Sequence, residues 1–324
     1  MNKSVKSLIR RAGPYLIGPQ LNTSTTKCVK HYLARKIGTD IFYTVKVLTL
    51  PHPIVLESMD QIQGHILTNT EYTLLKSLRR EKGVVQLIDL YKELVEVGTD
   101  GHNFGRMRTR IYLVLECYTP HDFSTQYTNL ITLQQLVIKV KKVPEYFTIR
   151  ILYNVVNVLP KLHQKDIVHR DIKLGNIVWD KYTKKVTLTN FGLSKHLTCN
   201  EEQLIDQRGS PAYISPEIIS GRQYTGKPTD LWALGVVCFT MLFGNFPFLD
   251  TSPTYLFRKI KQGHYEIPSD VIVTEPTVKI IRSLLLLDPQ KRLTARKTLV
   301  LLKEIIHKEE ILLSDVNLQV VPDI

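Results

Sequence analysis

Cysteine is scarce in this chain. The four (Cys28, Cys117, Cys199 and Cys238, of 324 residues) form no CxxC pair and have no paired histidines near them. That excludes a disulfide framework or a Cys/His zinc centre and reads as reduced intracellular thiols. Glycine and proline, 16 of each, form no tract, which excludes a fibrous or low-complexity chain. The N-terminus carries charge but no apolar core of a leader, so no secretory signal is expected. Acid is missing from residues 1–36, where eight Lys and Arg contribute +8 of the formal +13. Such an end can meet nucleic acid, an acidic partner or a membrane surface. The charges are not interleaved with a run of aromatic residues as in single-strand binders, so a solvated basic face is expected and a nucleic-acid binder is the third-ranked reading. Steeply salt-dependent binding to RNA or DNA would mark that reading. Long apolar runs are also missing, apart from the charge-free Leu231–Leu249. Gly244, Asn245 and Pro247 stop it near Phe243, so it is expected to be a buried core helix and no membrane partner is expected.

With 43% hydrophobic and 23% charged residues the chain is an ordinary globular protein of one large or two small domains. Its first third reads as strands: Leu33–Arg35 and Phe42–Leu48 around the turn at Gly38, Thr39 and Asp40, then Ile111–Leu115. A helix is predicted over about Thr68–Leu78, and an exposed loop over Val97–Arg110. From about Tyr118 helical periodicity dominates, in Leu130–Val140, Ile149–Leu162, Leu231–Phe243, Tyr255–Lys261, Val278–Leu286 and Leu293–Ile306. Pro160 is expected to end or bend the second of these.

The segment His169-Arg170-Asp171-Ile172-Lys173-Leu174-Gly175-Asn176 lies between an amphipathic helix and the strand-like Ile177–Trp179. It matches the H-R-D-x-x-x-x-N catalytic loop, and the chain thereby resembles the protein kinases. Other parts follow in order. Tyr43-Thr44-Val45-Lys46 stands where V-A-I-K belongs, and Glu71 sits on the helix that supplies the lysine's partner. Leu115 stands as gatekeeper and Glu116 follows it in the hinge, Ser215-Pro216-Glu217 replaces A-P-E, and Arg292 is the expected partner of Glu217. The resemblance implies an α+β fold of two lobes, a β-rich N-lobe (about 15–117) and an α-helical C-lobe (about 118–308). A basic segment (1–14) precedes them and a docking tail (309–324) follows. It implies Asp171 as base, Lys173 steadying the transferred phosphoryl group and Asn176 holding a magnesium ion. Lys46, Glu71, Leu21, Val29, Leu115 and Glu116 would line an ATP site.

The departures cut against turnover. The three glycines of the phosphate loop are Asn22, Ser24 and Lys27, whose Cβ atoms hinder a close backbone approach to phosphate. Thr44 replaces the alanine that packs on adenine. D-F-G is Asn190-Phe191-Gly192, so a carboxamide stands where magnesium prefers a carboxylate. A lost contact of about 2–3 kcal/mol corresponds to a roughly 30- to 150-fold slower reaction. Asn190 is therefore a degenerate metal position beside Asn176.

Arg11–Tyr15, Thr189–Gly192 and Asp206–Pro216 further resemble a serine/threonine-kinase-like subgroup related to the Tribbles pseudokinases. In that group an acidic V-P-D/E tail docks on a WD-repeat ubiquitin ligase, and Val320-Val321-Pro322-Asp323 fits it, with Pro322 favouring an extended conformation. The upstream acid of that motif is absent, Leu318 standing there. The first-ranked expectation is a pseudokinase adaptor in nucleus and cytoplasm. It would bind a protein client, recruit the ligase and resemble a negative regulator of NF-kappa-B-type transcriptional signalling. The second is a slow serine/threonine kinase using ATP and Mg2+.

Overall fold

The strand-forming residues of the first third pair in register into one antiparallel sheet. The computed structural model of the chain describes residues 10–23, 26–52, 55–97 and 106–318. It divides into two compact units at Leu130/Ile131. The first holds β1 (Arg10–Ala12), β2 (Tyr15–Thr23), β3 (Val29–Lys36), β4 (Phe42–Leu50), α1 (Met59–Ser77), β5 (Leu87–Val97) and β6 (Arg106–Glu116). The strand order is β1-β2-β3-β4-β6-β5. Alternation sends Val45 and Val47 of β4 to one side, where they pack with Ala12, Tyr15, Ala34, Tyr112 and Val114. It sends Lys46 and Leu48 to the other.

Helix α1 starts nine residues before the sequence periodicity suggests, because Ser58 and Gln61 form a reciprocal capping box. Its buried residues, Gly64, Thr68, Glu71, Leu74 and Leu75, recur every three or four positions. Gly64 is required by close approach, since a Cβ there would collide with the Cys28 sulfur. The loop expected over Val97–Arg110 is shorter: β5 includes Val97 and β6 begins at Arg106, because Arg106–Arg110 pair with Val97–Glu93 in an unbroken ladder. The first unit also takes in residues up to 130, since Tyr127 and Leu130 pack with Leu33, Phe42 and Cys117.

The second unit contains most of β7 (Leu130–Thr132), then α2 (Leu133–Val140), α3 (Glu145–Gln164), β8 (Ile167–Val168), β9 (Ile177–Asp180), β10 (Val186–Leu188), β11 (Lys195–His196) and β12 (Gln203–Leu204). It continues through α4 (Pro216–Ile219), β13 (Tyr224–Thr225), α5 (Lys227–Phe243), α6 (Pro253–Gln262), α7 (Glu275–Leu284) and α8 (Ala295–Leu318). Pro160 does not end α3: the helix continues to Gln164, with Leu159 and Leu162 fully buried. One missing N–H near a helix end costs less than burying those leucines returns. The charge-free run forms α5, buried along nearly its whole length and closed by Gly244 in the left-handed conformation (φ 75°). Among the described residues no helix is long and apolar enough to cross a membrane. Helix α8 runs twelve residues past Ile306, and on it Glu309 meets Arg150 at 2.7 Å.

Candidate active site

In the first unit, the Lys46 ammonium lies 2.6 Å from Glu71 Oε2, and both residues are under a tenth exposed. Strand β4 and helix α1 thus bring together residues 25 apart, as the sequence led us to expect. His31 stands opposite Lys46 on β3. Burial first, and the Lys46 charge second, push its imidazole down to about 3. His31 is therefore neutral in the fold, while the unfolded chain takes up a proton near pH 6.5. Stability is expected to fall as pH drops below 6.5, by up to ~1.4 kcal/mol per pH unit from this group. Urea titrations at several pH values should show that slope, and His31→Gln should flatten it; an unaltered slope in the variant overturns the assignment.

The register places Leu33 opposite Thr44, and Val29 opposite Leu48. Val29 packs with Leu48, Leu50, Cys28 and Ile111. Leu33, aligned by no motif, is the residue across from Thr44, and it packs with Leu21, Cys117, Phe42, Tyr127 and Leu130. Leu115 is buried across from Thr44 on the other flank. Thr44 Oγ1 is 3.2 Å from Thr119 Oγ1. Glu116 donates its backbone N–H to Gln86 O, and burial pushes its carboxyl above the usual range. Thr44, which the resemblance sets against adenine, thus lies beside Thr119 and opposite the buried Leu33.

The turn between β2 and β3 is held by α1. Asp60 accepts the Lys27 and Cys28 backbone N–H groups at 3.0 and 2.9 Å. The Lys27 amide is the leading cause that holds the Asp60 carboxyl below its ordinary value. An acid in the first turn of α1 is the only trace of this tie in the sequence.

In the second unit, one carboxylate gathers the catalytic-loop residues. Asp171 Oδ2 accepts from Asn176 Nδ2 at 2.7 Å and Asn190 Nδ2 at 3.3 Å, and lies 3.0 Å from Lys173 Nζ. Asp171 Oδ1 accepts from Ser210 Oγ at 2.8 Å, and Ser210 in turn accepts from Lys173 at 2.7 Å. Asn190 sits in the left-handed region (φ 66°), which asparagine tolerates better than most residues. The loop hangs from Asp230, whose carboxylate accepts the His169 and Arg170 N–H groups at 3.0 and 2.8 Å and lies 2.9 Å from His163 Nε2. Arg170, itself left-handed at φ 64°, reaches Asp206 at 2.6 Å, and Arg208 reaches the same carboxylate at 3.0 Å.

Asp171, Lys173, Asn176 and Asn190 therefore meet, as expected, with Ser210 as an addition that only the fold reveals. The donor set suits magnesium poorly. Asn176 and Asn190 both turn amide N–H groups toward Asp171, which among the described residues is the only carboxylate in the cluster and faces four donors. Among the described residues no group of three His, Cys, Asp or Glu is arranged to hold a metal ion. No step through a metal follows from these residues. The tail residues Val320, Val321, Pro322 and Asp323 lie outside the described residues.

Comparison with known proteins shows the family. The sequence pattern of the protein kinase domain matches residues 27–301. Serine/threonine-protein kinase 40 of Rattus norvegicus and of Homo sapiens are each 51% identical over 322 residues, covering 97% of this chain and 74% of those proteins. Tribbles homolog 3 of Homo sapiens is 40% identical over 156 residues, 48% of this chain and 43% of that protein. The chain belongs to the protein kinase domain family, in the group of serine/threonine-protein kinase 40.

Proposed function

We propose that this chain is a pseudokinase adaptor. The observation that carries the reading is the state of Asp171: both its oxygens face donors, and one of those donors is the carboxamide of Asn190. In this arrangement Asp171 is committed to these donors, and taking a substrate proton would require Ser210 to give way. Its Oδ1 accepts from Ser210, and among the described residues no second carboxylate joins it in this cluster to hold magnesium. The packing of Leu33 and the Thr44–Thr119 pair support the same reading. In it the kinase-like domain holds a protein client. The V-P-D tail recruits a WD-repeat ubiquitin ligase, and the protein acts in nucleus and cytoplasm as a restraint on NF-kappa-B-type transcriptional signalling.

Millimolar ATP, with or without magnesium, is expected to leave the melting temperature unchanged. A ligand at 100 times its Kd would add about 2.7 kcal/mol of stability, an easily visible shift. A magnesium-dependent rise that disappears in Lys46→Ala overturns the pseudokinase half. The adaptor half is tested separately: Val321→Ala with Pro322→Ala should abolish ligase pull-down at unchanged melting temperature, and undiminished capture refutes the tail's role. The intact Lys46–Glu71 pair favours a slow kinase as the second reading. It predicts activity that Asp171→Ala removes and Asn190→Asp raises.

A further inference from the structure

A cavity of about 550 Å³ lies wholly within the second unit, between the end of α3, the start of α5 and the turn from α7 into α8. That volume is within the range of ordinary ligand pockets. Pro160, Pro228, Leu231, Pro289 and Leu293 give it an apolar lining. Its rim is polar, and the polar groups sort into two kinds. Most are matched: Lys227 pairs with Asp166 at 2.6 Å, Arg292 with Glu217 at 2.7 Å and His163 with Asp230 at 2.9 Å. Three are not. Arg296, Gln164 and Gln290 line the cavity, are exposed, and their side chains make no hydrogen bond or ion pair among the described residues.

We propose that this cavity is a docking groove for a short, extended, acidic peptide of a partner protein. One bulky apolar side chain of the peptide fills the proline- and leucine-lined floor. A carboxylate next to it meets Arg296, the one guanidinium there with no acid of its own, and Asp166 is already neutralised by Lys227. The carboxamides of Gln164 and Gln290 each offer a donor and an acceptor, the complement of a peptide unit. They stand on different elements, the end of α3 and the α7–α8 turn, and so can engage backbone on both sides of the anchor. A purely apolar ligand would use none of these three polar groups, and a basic peptide would be repelled by Arg296. The groove goes beyond the adaptor reading and involves neither Asp171 nor the tail, so it stands whether or not ATP binds.

The test uses the full chain and a displayed library of hexapeptides, each with a central Leu, Ile or Phe flanked by Asp and Glu or by Lys. Acidic members should be retained and basic ones lost. The best acidic peptide, labelled with fluorescein, should bind at least tenfold more weakly to Arg296→Glu and more weakly to Gln290→Ala. Both positions are exposed, and an acid in the first turn of α8 suits the helix dipole, so melting temperatures should not fall. Retention of acidic and basic peptides alike, or an affinity unchanged within twofold in Arg296→Glu, overturns the proposal.

Discussion

Replacing Asp230 with alanine is expected to destabilise the fold by about 3–5 kcal/mol, the range for breaking a buried charged network. Asp230 is 1% exposed and lies opposite two backbone N–H groups and the His163 ring at 2.8–3.0 Å. Removing it leaves donors buried without an acceptor, each costing about 1–3 kcal/mol. Asparagine should not rescue the loss, because its NH2 would turn a donor toward donors. Burial alone would raise the Asp230 carboxyl, but His163, the charge of His169 and the His169 amide hold it below the ordinary aspartate value. Its contribution is therefore complete above about pH 4 and is lost as pH falls through the lower folded value. Urea unfolding at pH 7 and pH 3 checks both statements: the wild-type advantage over Asp230→Ala should be largest at pH 7. A loss under 1 kcal/mol at neutral pH would contradict the role given to Asp230. The consequence reaches the candidate site, since His169 and Arg170 hang from this carboxylate and Asp171 follows them.

The Arg292–Glu217 pair carries an effect of similar size. The Arg292 side chain is fully buried, donates to Glu217 at 2.7 and 3.1 Å, and also donates to the carbonyls of Pro228 and Leu286. Its guanidinium lies 5.1 Å from the centre of the Trp232 ring. Arg292→Ala is expected to cost about 3–5 kcal/mol, since Glu217, its side chain only 10% exposed, would lose its cation. Arg292→Lys should recover only a small part, because an ammonium cannot reproduce the two-pronged contact and the two carbonyl bonds. The urea midpoint of each variant measures this. A lysine variant as stable as the wild type would mean that charge alone, and not the planar fork, holds α4 to the α7–α8 turn.

These two clusters and the Asp171 cluster share one property: each is a carboxylate, buried or nearly so, that faces hydrogen-bond donors. In Asp230 and Glu217 that arrangement holds the second unit together. At Asp171 the same kind of arrangement, with Ser210 on Oδ1 and Asn176 and Asn190 on Oδ2, is what supports the pseudokinase proposal. The residues of a catalytic loop are all present, yet their mutual hydrogen bonds resemble the structural clusters more than an open site.

The sequence by itself determined the family and the two-part α+β organisation, and it named most of the residues that gather around Asp171. Patterns such as H-R-D-x-x-x-x-N and the helical spacing around Glu71 are local: a short stretch of chain contains both the residue types and their separation. The charge-free run was legible as core helix α5 for the same reason, with Gly244 marking its end. What required the tertiary structure was everything set by strand register, capping and distant contacts. Register gave the place opposite Thr44 to Leu33, because cross-strand partners are not contained in a linear motif. A capping box lengthened α1, and an unbroken ladder shortened the loop after β5. Ser210 comes from 39 residues away to Asp171, Asp60 ties down a turn 32 residues earlier, and Arg296 comes to the rim of a cavity begun by Pro160. Such pairings depend on how elements pack, and packing is decided by the burial of many side chains together, not by any one stretch of sequence.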